Sequence, residues 1–150
     1  MRRLFVIVPL AILAACQQAA PKAAGVEHAW VRLPAVEGRP GAAYFTLHGG
    51  PVEDRLMSVS SPQAIRSEMH DMSMAGGIMR MAPINAGLAV PATSDVSFES
   101  SGKHVMLFDI SPKVTPGGKM TLNFAMASGE RLEAEADVVA AGGEEPHHTK

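Results

Sequence analysis

Only one cysteine occurs in the 150 residues, and it stands at position 16, ahead of any stretch that reads as a folded core. If Cys16 serves outside the fold, no disulfide can staple the domain. Thiolate zinc sites, iron–sulfur clusters and thiol redox chemistry then have no ligand. A blue-copper centre is excluded as well, because it needs a cysteine thiolate beside two histidines. Positive charge is equally sparse. Without Arg2 and Arg3 the 13 basic residues become 11 against 15 acidic ones, a formal charge of −4. No basic run suits nucleic acid, so no nucleic-acid partner is expected. There is no helix-period segment of useful length, no internal repeat, no Gly-rich phosphate loop, no nucleophile motif and no evident carboxylate pair. The pattern does not suggest an enzyme.

The apolar run from Leu4 to Leu13 is too short to span a bilayer, which takes about 20 residues. Preceded by Arg2-Arg3 and followed by Ala14-Ala15-Cys16, it has the layout of a secretory signal over residues 1–15. Leu13-Ala14-Ala15-Cys16 is similar to a bacterial lipobox, in which Cys16 becomes the lipidated N-terminus. An ordinary cleaved signal with an incidental cysteine is the competing reading. Gln17, not Asp, follows the cysteine, which resembles sorting to the outer membrane of a diderm cell. The expectation is a periplasmic domain held to a membrane by its lipid anchor. Residues 16–25 would supply the lipidated cysteine and a flexible tether; nine residues at about 3.3 Å each reach roughly 30 Å.

From 26 to 140 the pattern is β. Short apolar or alternating runs are each bounded by Pro, Gly, Asp or Ser, as in a sandwich of roughly seven to nine strands. Leu132, Ala134, Ala136 and Val138 alternate with Glu133, Glu135 and Asp137, which marks a half-buried strand. Gly76-Gly77 reads as a hairpin turn, and Lys103 to Ile110 as a central strand. Residues 141–150 are polar and Gly-rich, with the expectation of disorder.

What the chain has in excess is methionine. Five of its ten methionines fall within residues 69–81, beside His70, and a sixth, Met106, stands two residues after His104. Thioether sulfur and imidazole nitrogen suit copper(I) and not magnesium or calcium. In a strand, His104 and Met106 point the same way, as do His70 and Met72, or Met79 and Met81. If the 69–81 hairpin packs beside the 103–110 strand, one His–Met pair from each can converge into a His₂Met₂ site. Methionine is also a common filler of irregular cores. Against that stand Asp71, Ser73, Gly76, Gly77 and Arg80, which are poor core company.

Ala29-Trp30-Val31-Arg32, Ala42-Ala43-Tyr44-Phe45-Thr46-Leu47, Met69-His70-Asp71-Met72 with Met79-Arg80-Met81, and Gly102-Lys103-His104-Val105-Met106-Leu107 together resemble the PCu(A)C family of periplasmic copper(I) chaperones. The resemblance implies a cupredoxin-like, immunoglobulin-like Greek-key β-sandwich. It also implies copper(I) binding through a motif of the form H-x10-M-x21-H-x-M. Ten residues separate His70 from Met81, and His104 and Met106 supply the last pair. Between Met81 and His104 lie 22 residues, one more than the motif, which leaves Met79 in competition with Met81. Members supply the dinuclear copper centre of cytochrome c oxidase or otherwise handle periplasmic copper, so an oxidase subunit is the expected acceptor. Met72 and Met74 are candidate transfer ligands or solvent-exposed rim. His147 and His148 are a candidate copper(II) trap, as tails are in some relatives, or a stretch with no metal role. His28 and His48 are expected to be ordinary surface histidines. The chain is expected to be a monomer. Two other functions compete with delivery: copper sequestration for tolerance, and a metal-free immunoglobulin-like interaction lipoprotein.

Overall fold

The computed structural model describes residues 22–146. The signal segment 1–15, Cys16, the first part of the tether and the pair His147–His148 lie outside the described residues. Ten strands follow in order: β1 (Gly25–Arg32), β2 (Gly41–His48), β3 (Asp54–Ser60), β4 (Ala64–Ala75), β5 (Ile78–Pro83), β6 (Leu88–Val90), β7 (Asp95–Phe98), β8 (His104–Ile110), β9 (Lys119–Met126) and β10 (Arg131–Val139). There is no helix among the described residues. The all-β expectation holds, with one strand more than the seven to nine expected. The short runs β6 and β7 each pair as strands in their own right, on β3 and β2.

Hydrogen bonding joins the strands in the order β5-β4-β8-β2-β1-β10-β9-β3-β6. β2 serves two partners along one edge: its residues 41–43 pair with β8 and its residues 45–48 with β7. β7 and β8 therefore run end to end, with the turn at 99–103 between them. The sheet bends until its two ends meet, where the Ser67 hydroxyl of β4 donates to the Val59 carbonyl of β3. Inside lie Phe45, Leu47, Leu56, Val105, Leu107, Met120, Leu122 and Phe124, all essentially inaccessible. Phe45 stacks on Phe98 with ring centroids 4.2 Å apart and meets Phe124 edge-on at 4.8 Å. The hairpin β4–β5 closes through Gly76 (φ 60°) and Gly77 (φ 78°). Positive φ at both positions is the twisted two-residue turn that fixes a hairpin's register.

Asp54 ties the start of β3 to the β9–β10 turn. Its carboxylate accepts the Ser128 hydroxyl (2.5 Å), the Ser128 N–H (3.1 Å) and the Arg55 N–H (2.7 Å). The Ser128 hydroxyl first, and then the Arg55 N–H, hold this carboxyl below its ordinary value. A carboxyl whose pKa is depressed by folding contributes stability above its ordinary value and loses it as pH falls through the folded value. The expected outcome is that Asp54→Asn lowers the unfolding midpoint at neutral pH. Between about pH 5 and about pH 3 the midpoint of the variant should then fall less than that of the wild type. Parallel thermal melts across that range check it.

Candidate metal centre

Strand register decides which side chains share a surface. β4 pairs with β8 without a shift, placing Glu68 opposite Met106 and His70 opposite His104. β4 pairs with β5 equally regularly, placing Pro83 opposite His70, Met81 opposite Met72 and Met79 opposite Met74. Because alternate residues share a face, Glu68, His70, Met72, Met74, Met79, Met81, His104 and Met106 all stand on one face of β5-β4-β8. Met69, Val105 and Leu107 face the core. Seen across the strands, the face is a ladder. Met106 lies one rung before the two histidines and the pair Met72–Met81 one rung beyond them. The pair Met74–Met79 forms the outermost rung. The same face continues over β2 and β1, where Trp30 and Tyr44 pack with centroids 4.4 Å apart. The Arg32 guanidinium lies over both rings while its Nε donates to the Gly143 carbonyl at 2.9 Å.

The two histidines are the buried polar residues of this face, 8% and 7% exposed, with ring centroids 5.9 Å apart and planes 25° from parallel. Their hydrogen bonds fix which nitrogen is bare. His104 Nδ1 lies 3.0 Å from the Gly102 carbonyl, which can only accept, so Nδ1 carries the proton and Nε2 the lone pair. His70 Nε2 lies 3.1 Å from the Glu68 carboxylate, so Nε2 donates and Nδ1 carries the lone pair. That Nδ1 is buried and has no hydrogen-bond partner. An orphaned buried acceptor costs about 1–3 kcal/mol, and a coordinated cation would satisfy it. Support from a carboxylate or carbonyl on the far nitrogen is the arrangement of metal-bound histidines.

The neighbouring charges are already paired. Glu68 also meets Arg66, whose guanidinium sits 3.7 Å from the Phe108 ring centroid, and Asp71 lies 3.9 Å from Lys103 Nζ. No three His, Cys, Asp or Glu side chains are grouped to hold a metal ion among the described residues. The remaining soft donors on this face are thioethers. Met72 and Met106 are half-buried, whereas Met74, Met79 and Met81 are 65%, 46% and 51% exposed. Met81 stands one rung nearer the histidines than Met79.

Sequence reasoning missed the two groups that hold the histidines, Glu68 and the Gly102 carbonyl. The spacing Glu-x-His on one strand face was the available signal for the first; a backbone acceptor leaves none. His48 also departs from expectation. It is not a free surface histidine but lies between the carboxylates of Asp95 (2.5 Å) and Glu27 (3.1 Å). The Glu27 carboxyl is held below its ordinary value, first by His48 and then by Lys22.

A family model described as "LpqE-like: Putative lipoprotein LpqE-like" matches residues 25–138. No curated protein matches the chain. Among solved structures, the apo PmoF2 PCuAC domain superposes with a TM-score of 0.67 at 22% identity, covering 85% of this chain and 98% of that one. The copper-bound PCuAC domain from PmoF2 gives 0.63 at 22% identity, over 81% and 96%. CuI-DR1885 from Deinococcus radiodurans gives 0.56 at 24%, over 84% and 83%. At these identities the likeness establishes the fold, the cupredoxin-like β-sandwich.

Proposed function

Since this chain belongs to the family of LpqE-like putative lipoproteins, we propose that it is a lipid-anchored periplasmic carrier of copper(I). The ion is held by His70, Met81, His104 and Met106 and passed to an acceptor protein. One observation carries the reading: two buried histidines share a rung, each keeps one bare ring nitrogen, and thioethers flank that rung on the same face. Two neutral imidazoles with two thioethers match a soft d¹⁰ ion. Copper-bound structures of the same fold, the PmoF2 PCuAC domain and CuI-DR1885, support the reading.

The arrangement suits carriage more than catalysis. Four protein ligands leave no open position for water or substrate, which metal-assisted reactions require. Met81 lies on the outer strand of the hairpin, two strands from β8 at about 4.8 Å each. Bringing its sulfur over the histidines therefore needs the hairpin to curl toward β8, and Met72, on the strand between, can take over as the hairpin opens. Ligands exchanged one at a time on an exposed rim let an acceptor remove the ion without freeing it into solution. The acceptor we favour is the dinuclear copper centre of a cytochrome c oxidase subunit. Cys16 carries the anchor, in the outer membrane, with the domain working as a monomer. His147 and His148 are the groups that would take copper(II).

The test is competition for copper(I) between the soluble chain and a chromophoric chelator. The wild type should withdraw one tightly bound equivalent, and His104→Ala or Met106→Ala should weaken that equivalent by at least about tenfold, about 1.4 kcal/mol. Affinity unchanged in both variants overturns the assignment. Delivery is separated from sequestration by a deletion strain. Delivery predicts an oxidase assembly defect under copper starvation, and sequestration predicts sensitivity to excess copper alone.

A further inference from the structure

Met74 and Met79, the outermost sulfur rung of the β4–β5 hairpin, are not used by the histidine site. β8 begins at His104, and the last tie between β4 and that side of the sheet is the Met72 N–H donating to the Gly102 carbonyl at 3.2 Å. Beyond it the hairpin extends as a two-stranded arm. The two rungs of that arm carry sulfur on one face and none on the other, where Asp71, Ser73 and Arg80 stand. Met74 and Met79 are directly opposed, and Met72 is the diagonal neighbour of Met79. Directly opposed Cβ atoms lie about 4.5–5.5 Å apart and diagonal neighbours about 7–8 Å, within reach of unbranched side chains with three rotatable bonds. The Gly76-Gly77 turn holds this register. Neither Met74 nor Met79 is claimed by the core.

We infer that Met72, Met74 and Met79 form a second site, all thioether, for a soft monovalent cation such as copper(I) or silver(I). The donor set is neutral and contains no carboxylate, so it discriminates against magnesium and calcium. Thioethers carry no dissociable proton near neutrality, so no proton leaves when the ion binds. The site extends the function proposed above to a second ion but does not need the histidine rung. At the projecting end of the face, it is where an arriving ion first meets protein sulfur, two rungs from the histidines.

The experiment is a silver(I) titration of the full chain with 13C-labelled methionine methyl groups, followed by NMR. The methyls of Met72, Met74 and Met79 should shift as a second equivalent is added, and should still shift in His70→Ala/His104→Ala. Met57, as exposed as Met79 but on β3 without a sulfur neighbour in register, is the control for adventitious binding. Met74→Leu/Met79→Leu keeps side-chain volume and should remove the second equivalent while retaining the first; circular dichroism confirms its fold. Hairpin methyls that move no more than Met57, with the first equivalent intact, overturn this inference and leave the histidine site standing. Hairpin shifts without a first equivalent lost in the double histidine variant do the reverse.

Discussion

Copper(I) should raise the unfolding midpoint of the wild-type chain by on the order of 10 °C, and replacing His70 and His104 together by alanine should remove most of that rise. An ion that binds the folded chain alone stabilises it by RT ln(1 + [L]/Kd), about 2.7 kcal/mol when free copper(I) is 100 times Kd. The stabilisation needs donors that exist only once β4 and β8 have paired, because His70 and His104 come from strands separated by the whole β5–β7 segment. In the unfolded chain they are unrelated, so binding there is weak. Without copper the double variant gives up two buried rings but also loses the orphaned His70 Nδ1, and these effects oppose one another. Its midpoint without copper should move much less than the copper-dependent rise. Any rise that survives belongs to the hairpin thioethers, and Met74→Leu/Met79→Leu should remove it. Scanning calorimetry at buffered copper(I) decides the matter. A full copper shift in the double histidine variant sinks the ligand assignment.

The strands were legible in the sequence because a half-buried strand announces itself by alternation. His104 and Met106 read as sharing one face of their strand, and the structure places them so, with Val105 and Leu107 turned to the core. The Gly76-Gly77 turn fixed the hairpin register for the same local reason. Pairings between distant strands left no comparable trace. Nothing in β4 names β8 as its neighbour, and nothing near β1 announces its parallel pairing with β10, because register across a long separation is set by the assembled core and not by neighbouring residues. The total of ten exceeds the seven to nine expected because nothing local shows whether runs as short as 88–90 and 95–98 find a neighbour to pair with. His48 read as a surface residue because its two carboxylates, Glu27 and Asp95, come from β1 and β7. The chemistry of the candidate site was visible in its residue types, while the supports that fix the histidine tautomers became visible only with the fold.

Phe45→Ala should lower stability by about 3–5 kcal/mol, and saturating copper(I) should restore most of the loss without any repair to the core. Phe45 is buried at the crossing of three strands, its ring stacked on Phe98 of β7 and edge-on to Phe124 of β9. Truncation removes the apolar area and leaves a cavity that neighbours held by sheet hydrogen bonds cannot collapse to fill. Against a typical total of about 5–15 kcal/mol, the variant sits near the edge of folding at physiological temperature. The candidate metal face is spared, since Phe45 points to the core from the part of β2 that pairs with β7, whereas β8 pairs with Gly41–Ala43. Copper(I) at 1,000 times Kd contributes about 4.1 kcal/mol, comparable to the damage. Denaturant titration with and without buffered copper(I) gives both numbers from the same preparation. Phe45→Ala combined with His70→Ala/His104→Ala should be rescued little by the ion. Equal rescue with and without the histidines would mean that copper stabilises this sandwich from somewhere other than the rung between β4 and β8.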